Sequence, residues 1–441
     1  MKSLSNFLEK YLVPLAVKLS NNIYLGSVSL GFSYLLPVIM VGALFTLFTS
    51  LNFEIYQNFI TSIGLSTILS FASTYTTNML AVYAVFLIAK AYGEKIGYEK
   101  ESIIVGVLAL VAFLILIPTG AHPLESGATV PYLPTKFLGA PGLFSAIIVA
   151  LATALIYFFF IKNHIVIKLP DSVPPTIGKS FSAILPGMAI VFIFGLIRHL
   201  FTMTSYGDFN TAIYTIVQKP LVSLGASPIT YILLIVVCSL LWFVGIHGGM
   251  IVMPILSMLY MPALLENLAA FEAGTQLPNI ITYSTWSLLA SLGGAGGTLG
   301  LCILMLFLSK SARYKTLGKL AIGPGICGIN EPITFGYPMM LNTVMLIPMV
   351  VTPVVTFLIS YFAMSSGIVP CPNGVTVALG TPVIFSGLLA IGWQGAVLQV
   401  LLIIVQMAFY FPFFRLSDKM AYDEEQANEQ MKSMEEKALN A

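Results

Sequence analysis

The stretch Gly323-Pro-Gly-Ile-Cys-Gly-Ile-Asn-Glu-Pro-Ile-Thr334 lies between a basic run, Lys310 to Lys319, and a long apolar segment that begins near Phe335. Its glycines and prolines disfavour a regular helix, because glycine loosens the backbone and proline removes a hydrogen-bond donor. Inside a membrane, irregular backbone is tolerated only where it is buried in protein or lines a watery cavity, and an acidic residue at that depth is by default a candidate functional residue. The stretch predicts a broken or re-entrant hairpin whose tip presents Asn330 and Glu331 to a polar ligand. The alternative is a cytoplasmic loop with a solvated glutamate.

The composition places this stretch in a membrane protein. Of the 441 residues, 58% are hydrophobic and 9% are charged, whereas a soluble domain carries about 25% charged residues. Apolar segments of about 20 residues recur along the chain, and a β-barrel would show short alternating strands instead. The sequence therefore predicts an all-α polytopic membrane protein in the lipid bilayer, with about ten transmembrane helices, re-entrant hairpins and amphipathic interfacial helices.

Nothing in the sequence indicates a metal, a cofactor or a nucleic-acid partner. The four cysteines lie in or beside apolar segments without metal-ligand spacing and are read as buried hydrophobes. The chain contains no Walker loop, dinucleotide-binding glycine pattern, HExxH or GxSxG motif, which leaves out the common nucleotide-binding and hydrolytic sites.

The order of apolar segments predicts two unlike halves. In the first half, spans are predicted at 26–50, 68–90, 102–120, 143–161 and 182–203, after an amphipathic interfacial stretch at 1–24 and before an amphipathic surface helix at 205–228. In the second half, glycine and proline interrupt the apolar segments at 245–249, 293–297 and 370–382. We interpret 1–228 as a scaffold and dimerisation half, 229–416 as a substrate-binding half with broken helices, and 417–441 as a charged, solvated tail.

Loop charges predict the orientation in the membrane. Basic residues cluster in the loops around 90–100 and 162–179, on the side of the lysine-bearing N-terminus, whereas the intervening loops hold only Lys136. By the positive-inside rule, both termini are predicted to be cytoplasmic.

After Glu331, the best candidate for chemistry is His247, which follows a long apolar run and precedes two glycines. Histidine both donates and accepts at neutral pH, which suits hydroxyl recognition. Trp242, five residues earlier, offers a flat face and one N–H donor to a sugar ring. The alternatives are a core histidine bonded to a backbone carbonyl and an interfacial tryptophan anchor.

Two polar residues of the first half are weaker candidates. Asn78 lies in a polar patch inside the predicted second span, where it serves either as contact between helices or as part of a ligand path. Lys136 lies in a loop, where solvation is the default. A carboxylate, an imidazole, an amide and an aromatic face together suit a carbohydrate. An ion-coupled or facilitative transporter that uses His247 and Glu331 as a proton pair is the alternative function, and a membrane receptor or scaffold is a third class.

Two motifs carry a family resemblance. Gly-Ile-Asn-Glu-Pro-Ile-Thr-Phe-Gly-Tyr-Pro, ending at Pro338, and the upstream Trp242-Phe-Val-Gly-Ile-His-Gly-Gly249 resemble the membrane component (enzyme IIC) of the phosphoenolpyruvate-dependent sugar phosphotransferase system. The resemblance is to the lactose, cellobiose and diacetylchitobiose branch and spans about 1 to 416, including Leu138-Gly-Ala-Pro-Gly-Leu-Phe144.

The resemblance implies a homodimer in the bacterial cell membrane that binds a disaccharide such as a β-glucoside in the second half of each subunit. A phosphocysteine on a cytosolic IIB protein, itself supplied through IIA, then phosphorylates the sugar; this chain carries no evident phosphorylated residue. By motif, Glu331 and His247 hold the hydroxyls near the phosphoryl acceptor, with Asn330, Trp242 and Lys136 at the sugar. One departure is Leu379, which stands where the branch often has a tryptophan that packs on the sugar.

Overall fold

The computed structural model is a bundle of helices with one small sheet. It describes residues 14, 18, 21–50, 54–123, 129–170, 174–337, 339–340, 342–377 and 380–439. The α-helices are α1 (Ile23–Ser50), α2 (Glu54–Ser62), α3 (Leu65–Tyr75), α4 (Leu80–Lys95), α5 (Glu99–Leu116), α6 (Leu143–Lys162), α7 (Pro175–Ser182), α8 (Ile184–Thr202), α9 (Phe209–Ile213), α10 (Lys219–Gly225), α11 (Pro228–Phe243), α12 (Gly248–Glu272), α13 (Leu299–Leu308), α14 (Ala312–Ile326), α15 (Glu331–Gly336), α16 (Thr343–Ser365), α17 (Phe385–Ile391) and α18 (Trp393–Leu439). Short 3₁₀ helices occupy Thr77–Met79, Thr135–Phe137 and Ala140–Gly142, and π-helices occupy Tyr214–Gln218 and Trp286–Ala290.

The helical membrane class is confirmed. Among the described residues, five helices are long and apolar enough to cross a membrane, and three shorter apolar helices accompany them. The five segments are Ala140–Lys162, Ile177–Thr202, Gly248–Glu272, Val344–Ser365 and Trp393–Met431. The interfacial stretch predicted at 1–24 lies almost wholly outside the described residues.

The predicted second span, 68–90, is wrong as a single helix. It divides into α3 and α4 around the 3₁₀ turn Thr77–Met79. The Thr76 hydroxyl donates to the carbonyl of Ala72, and the Tyr83 hydroxyl donates to the carbonyl of Tyr75. Such local hydroxyl bonds compete with a continuous helix, which explains a break that hydropathy alone does not reveal.

The loop between α5 and α6 is partly ordered by a small sheet. β1 (Gly120–Pro123) pairs antiparallel with β2 (Thr129–Tyr132), with Gly120 opposite Tyr132. A Cβ at Gly120 would lie 2.5 Å from the Tyr132 ring, so glycine allows the aromatic ring to cover the strand.

The segment 205–228 is not the surface helix predicted for it. It forms α9, a π-turn and α10, and two of its polar side chains are buried. The Asn210 amide donates to the carbonyl of Leu116 at 2.9 Å. The Gln218 amide donates to a carboxylate oxygen of Glu266 at 3.2 Å. These two amides tie the segment inward to α5 and α12, because a buried amide needs partners that solvent does not supply.

Two large apolar cores meet along α12. Buried residues of α1, α4, α5 and α6 form one core together with Met261–Leu268 of α12. Buried residues of α11, α16 and α18 form a second core together with Val252–Tyr260 of the same helix. Because one continuous helix contributes to both cores, it couples the first half of the chain to the second.

The tail, predicted to be solvated, is exposed along most of 419–430 but is anchored where it begins. Residues 417–439 continue α18 without a break, and Asp418 on this helix is buried. Its carboxylate accepts hydrogen bonds from the Ser309 hydroxyl and from the main-chain N–H groups of Lys310 and Ser311. A buried carboxylate is tolerated when its oxygens are hydrogen-bonded in this way.

Two turns further along α18, Glu425 holds the start of α14. It accepts from the Ser311 hydroxyl at 2.6 Å and from the N–H groups of Ala312 and Arg313 at 2.9 and 3.0 Å. A carboxylate at this position satisfies free N–H groups of the first turn of α14 and is favoured by the helix dipole.

We expect Asp418→Ala to destabilise the protein more than Glu425→Ala. The first change leaves one buried and two partly buried donors without an acceptor, and a buried donor without a partner costs about 1–3 kcal/mol. The second change resembles the loss of a helix cap, about 1 kcal/mol. Thermal unfolding of the purified protein in detergent measures both changes. Asp423→Ala, an exposed neighbour on the same helix, is the control. An Asp418→Ala midpoint equal to that of the control would contradict the anchoring role.

Candidate functional site

A tight corner between α11 and α12 carries Trp242 and His247. The N–H of Gly245 donates to the carbonyl of Trp242 at 3.1 Å, and the N–H of Ile246 donates to the carbonyl of Leu241 at 2.9 Å. Gly245 has a φ of 83°, a left-handed conformation that glycine adopts without a steric penalty. This is a Schellman ending, and it folds the chain back so that His247 lies over Trp242. The predicted break at 245–249 is confirmed.

His247 caps the start of α12 and keeps one nitrogen free. Its Nδ1 accepts a hydrogen bond from the N–H of Met250 at 3.2 Å, so a neutral ring carries its proton on Nε2. The side chain is exposed, and among the described residues Nε2 has no hydrogen-bond partner. The alternative for His247, a core histidine bonded to a backbone carbonyl, is therefore wrong. Gly248 permits the close approach of the two helices, because a Cβ there would lie 2.3 Å from the carbonyl oxygen of Cys238.

The ring of Trp242 packs against the imidazole of His247. Its side chain is only 3% exposed, and its ring centroid lies 4.4 Å from that of His247 with the planes at 47°. The indole N–H is buried without a hydrogen-bond partner. Because the indole is buried, an interfacial anchor is wrong for Trp242, and the imidazole covers part of the face that was predicted to meet a sugar.

The stretch Gly323–Thr334 is more helical than its composition predicts. Helix α14 continues through Pro324 and ends at Ile326, so the break is confined to the four residues before α15. There Gly328 has a φ of 80°, and the N–H of Ile329 donates to the carbonyl of Pro324 at 3.0 Å. This is a second Schellman ending.

Asn330 is an internal tie. Its side chain is 5% exposed, and its amide N–H donates to the carbonyl of Ala295 at 2.7 Å. A Cβ at Gly294, whose φ is 98°, would lie 2.4 Å from Cγ of Asn330. The asparagine thus joins the break before α15 to the predicted glycine break at 293–297, which lies between the π-turn Trp286–Ala290 and α13. This bond engages one N–H of the amide, and the second N–H and the amide oxygen are left for other partners.

Glu331 differs from its neighbour. It is the first residue of α15, followed by Pro332 in the first turn, where proline needs no donor partner. The side chain is exposed and makes no hydrogen bond or ion pair with the described residues. A carboxylate at a helix N-terminus is favoured by the helix dipole. Its acceptor oxygens are consequently available to a ligand.

The two motifs share one apolar core. Trp242, Ile333 and Tyr337 all belong to the second core. The corner at Gly245 also lies close to the chain that follows α15, since a Cβ at Gly245 would be 3.5 Å from Sδ of Met340. No hydrogen bond or ion pair joins His247 to Glu331 within the described part of the chain. Packing therefore connects the motifs.

Asn78 and Lys136 are brought to one place in the first half. The N–H of Ala81 donates to the carbonyl of Leu138 at 2.8 Å, and a Cβ at Gly139 would lie 3.2 Å from the carbonyl oxygen of Asn78. Both candidate side chains are exposed, and the Lys136 ammonium lies 4.8 Å from the ring centroid of its neighbour Phe137. The turn Thr77–Met79, which carries Asn78, and the turn Ala140–Gly142, which follows the Lys136 segment, contact α12, the helix that His247 caps.

Sequence reasoning missed the side chains that hold the unwound segment at 291–298. The Gln406 amide accepts from the N–H of Gly300 at 3.0 Å and donates to the carbonyl of Leu292 at 3.1 Å. The Tyr410 hydroxyl donates to the carbonyl of Gly296 at 2.8 Å. Both lie on α18, four residues apart and therefore on one helix face. The sequence signal for these two side chains is a pair of polar residues four positions apart in an otherwise apolar helix.

A second set of side chains that the sequence did not indicate surrounds Glu266. It lies on α12, and its carboxylate accepts from Gln218 at 3.2 Å and from the Asn279 amide at 3.1 Å. Asn267 donates to the carbonyls of Asn279 and Pro372, both at 2.7 Å. Through α12, these bonds hold the chain at Asn279, which follows α12, close to the segment at Pro372, which precedes α17.

Comparison with known proteins identifies the family of this chain. The model of the phosphotransferase system EIIC family matches residues 29–353. The lichenan permease IIC component of Bacillus subtilis (strain 168) is 34% identical over 435 residues, covering 96% of each chain. The chain belongs to the EIIC family of the phosphotransferase system. It is therefore a membrane sugar permease component that works with IIA and IIB proteins, and membership favours this role over ion-coupled or facilitative transport.

Two further relatives match nearly the whole chain. The cellobiose-specific EIIC component of Geobacillus stearothermophilus is 34% identical over 433 residues, with 96% of each chain covered. The crystal structure of the transporter ChbC, the IIC component of the N,N′-diacetylchitobiose-specific phosphotransferase system, is 35% identical. It superposes with a TM-score of 0.88 over 95% of this chain and 99% of its own. Leu379, the predicted departure from the family, lies outside the described residues.

The joint between Asn330 and Gly294 can be tested with a matched pair of glycines. Gly294→Ala and Gly328→Ala both place a Cβ at positive φ, which costs about 1–2 kcal/mol, but only the first also collides with Asn330; nothing lies within 4 Å of a Cβ at Gly328. We expect Gly294→Ala to lower the thermal midpoint and sugar uptake clearly more than Gly328→Ala. Equal effects of the two changes would show that the asparagine contact does not matter.

Proposed function

We propose that the free polar groups of the two motifs, Nε2 of His247 and the carboxylate of Glu331, bind the sugar hydroxyl that becomes phosphorylated. The observation that supports this proposal is that both groups are exposed and lack a partner within the described residues, while Nδ1 of His247 and the amide of Asn330 beside them are hydrogen-bonded. An N–H donor and a carboxylate acceptor match the two hydrogen-bonding roles of one hydroxyl. Asn330, Trp242, Lys136 and Asn78 then position or complete the site around the sugar.

The proposed reaction assigns one task to each of these groups. Glu331 accepts the hydrogen bond of the sugar hydroxyl and takes its proton as the hydroxyl oxygen attacks phosphorus. The bond between phosphorus and the sulfur of the IIB cysteine breaks as the bond between phosphorus and the sugar oxygen forms. His247 donates from Nε2 and orients the hydroxyl or steadies the phosphoryl charge, since phosphoryl transfer depends mainly on positioning and electrostatic stabilisation. Catalysis is thus shared with the IIB protein.

The membrane arrangement forms part of the proposal. About ten transmembrane helices, with re-entrant hairpins at the glycine breaks, form a homodimer through the first half, 1–228, and bind sugar in 229–416. Both termini face the cytoplasm. Asp418 and Glu425 of the tail contact the turn at 309–313, and this supports one side for the basic run and the C-terminus, both of which are predicted to be cytoplasmic.

The proposed substrate is a β-linked disaccharide. Relatives that match nearly the whole chain carry the names of lichenan, cellobiose and N,N′-diacetylchitobiose. At Leu379 a flat aromatic surface is replaced by an aliphatic one, so recognition relies more on hydroxyl contacts.

Leu379→Trp is expected to tighten disaccharide binding. One aromatic contact contributes about 1 kcal/mol, which corresponds to about a fivefold lower Kd. Titration calorimetry with cellobiose and N,N′-diacetylchitobiose measures the gain. Leu379→Met, which keeps the size but adds no ring, should leave Kd unchanged. No gain with either sugar would place the residue away from the ligand.

Glu331→Gln removes the charge but keeps the shape of the side chain. We expect phosphoenolpyruvate-dependent uptake to fall about a hundredfold or more, in line with the loss of a general base, while the protein still folds. Uptake of labelled disaccharide into cells that contain the cytosolic phosphotransferase proteins measures this loss. Glu424→Gln, an isosteric change at an exposed residue of α18, is the control. Wild-type uptake by Glu331→Gln would remove the residue from this role.

The product distinguishes the proposed function from ion coupling. The transported sugar should arrive as its phosphate, and uptake should persist when the proton gradient is collapsed. Free sugar inside the cell, with uptake that stops on collapse, would support the ion-coupled alternative in which His247 and Glu331 exchange protons.

A further inference from the structure

A polar cavity lies in the first half of the chain, among residues that the transport site does not use. Its volume is about 400 Å³, within the range of about 300–1,000 Å³ that is usual for ligand pockets. It opens at the end of α6, a helix apolar enough to span the membrane, and is closed by the loop after α6, by α7 and by the start of α5. The cavity therefore lies where a spanning helix leaves the bilayer.

The inner wall of the cavity holds a hydroxyl without a partner. Tyr157 of α6 is fully buried, and its hydroxyl makes no hydrogen bond. A buried polar group without a partner is costly. A ligand atom in the cavity would supply the missing bond.

The charges in the cavity favour an anion. The ammonium groups of Lys162 and Lys179 both line it. Lys179 pairs with Glu101 at 2.9 Å, which offsets the one carboxylate in the wall, while Lys162 makes no ion pair with the described residues. The three charged side chains of the lining thus sum to a net charge of +1, and the imidazole of His164 also lines the cavity.

His164 occupies a position where this chain otherwise uses glycine. The N–H of Ile165 donates to the carbonyl of Phe160 at 2.9 Å, the Schellman pattern also seen at Gly245 and Gly328. His164 has a φ of 56° and takes the left-handed position of those glycines. A side chain at this position is strained, and here it adds an imidazole to the cavity wall.

We propose that this cavity binds the phosphate of an anionic phospholipid headgroup. Tyr157, His164 and Lys162 provide the hydrogen-bond donors. Exposed apolar side chains, Phe159 and Ile165, lie within three residues of these donors and suit acyl chains. Basic pockets between transmembrane helices bind anionic headgroups by the same combination of charge and membrane depth.

The test uses full-length protein purified in a neutral detergent and native mass spectrometry with added phosphatidylglycerol or phosphatidylcholine. We expect phosphatidylglycerol to be retained in preference, and its retention to fall at least fivefold in Lys162→Gln, Tyr157→Phe and His164→Gly. Lys168→Gln, an exposed lysine of the same loop outside the cavity, should retain lipid like the wild type. Equal retention of both lipids by the wild type, or undiminished retention by the three variants, would overturn the proposal.

The choice of variants provides a control for effects on folding. Without lipid, Tyr157→Phe and His164→Gly should have thermal midpoints equal to or above that of the wild type, because one removes an unpaired hydroxyl and the other removes backbone strain. Lower midpoints without lipid would assign both residues a structural role and contradict the ligand site.

A second experiment adds inorganic phosphate to distinguish a lipid headgroup from a free phosphoanion. If millimolar phosphate displaces the lipid or raises the midpoint as much as phosphatidylglycerol does, the site takes a free phosphoanion and the lipid assignment is wrong.

Discussion

Every polar backbone group that is freed by an unwound helix must find a partner inside the protein, because the hydrocarbon core of a bilayer offers none. Side-chain amides meet this requirement here. Gln406 bonds on both sides of the glycine break at 293–297, and Asn330 donates into the same break. Gln399 similarly accepts from the N–H groups of Ile384 and Gly387 and donates to the carbonyl of Leu288. The irregular second half exists because α18 and the Asn330 turn supply these amides.

The same constraint explains why α12 is central. This helix contributes to both apolar cores, begins at the His247 cap and carries Glu266 near its end. A displacement of α12 would therefore move the imidazole at one end and the amide network of Glu266 at the other. The tail adds a similar coupling through Asp418 and Glu425, which fix the start of α14. That helix leads directly to Glu331.

The sequence was sufficient for the elements that depend on apolar length and glycine. The membrane class, the spans that became α1, α6 and α8, and the breaks at 245–249 and 293–297 follow from hydropathy and backbone freedom alone. Predictions failed where partners distant in sequence decide the outcome. Asp418 looks like a solvated tail charge until α18 brings it to residue 310, more than one hundred positions away. Gln218, in a segment read as a surface helix, is buried because Glu266 accepts its bond.

The two candidate residues arise from one local design that is used twice. Gly245-Ile-His247 and Gly328-Ile-Asn330 each end a helix with a left-handed glycine, continue through isoleucine and place a polar residue at the cap of the next helix. At the first corner, one histidine divides the tasks, with Nδ1 bound to the backbone and Nε2 left free. At the second, two adjacent residues divide them, since Asn330 is bound and Glu331 is free. In both, a bonded group fixes the turn that carries the free group. Under the proposed function, a donor and an acceptor are thereby held in position before the sugar binds, which lowers the entropic cost of binding.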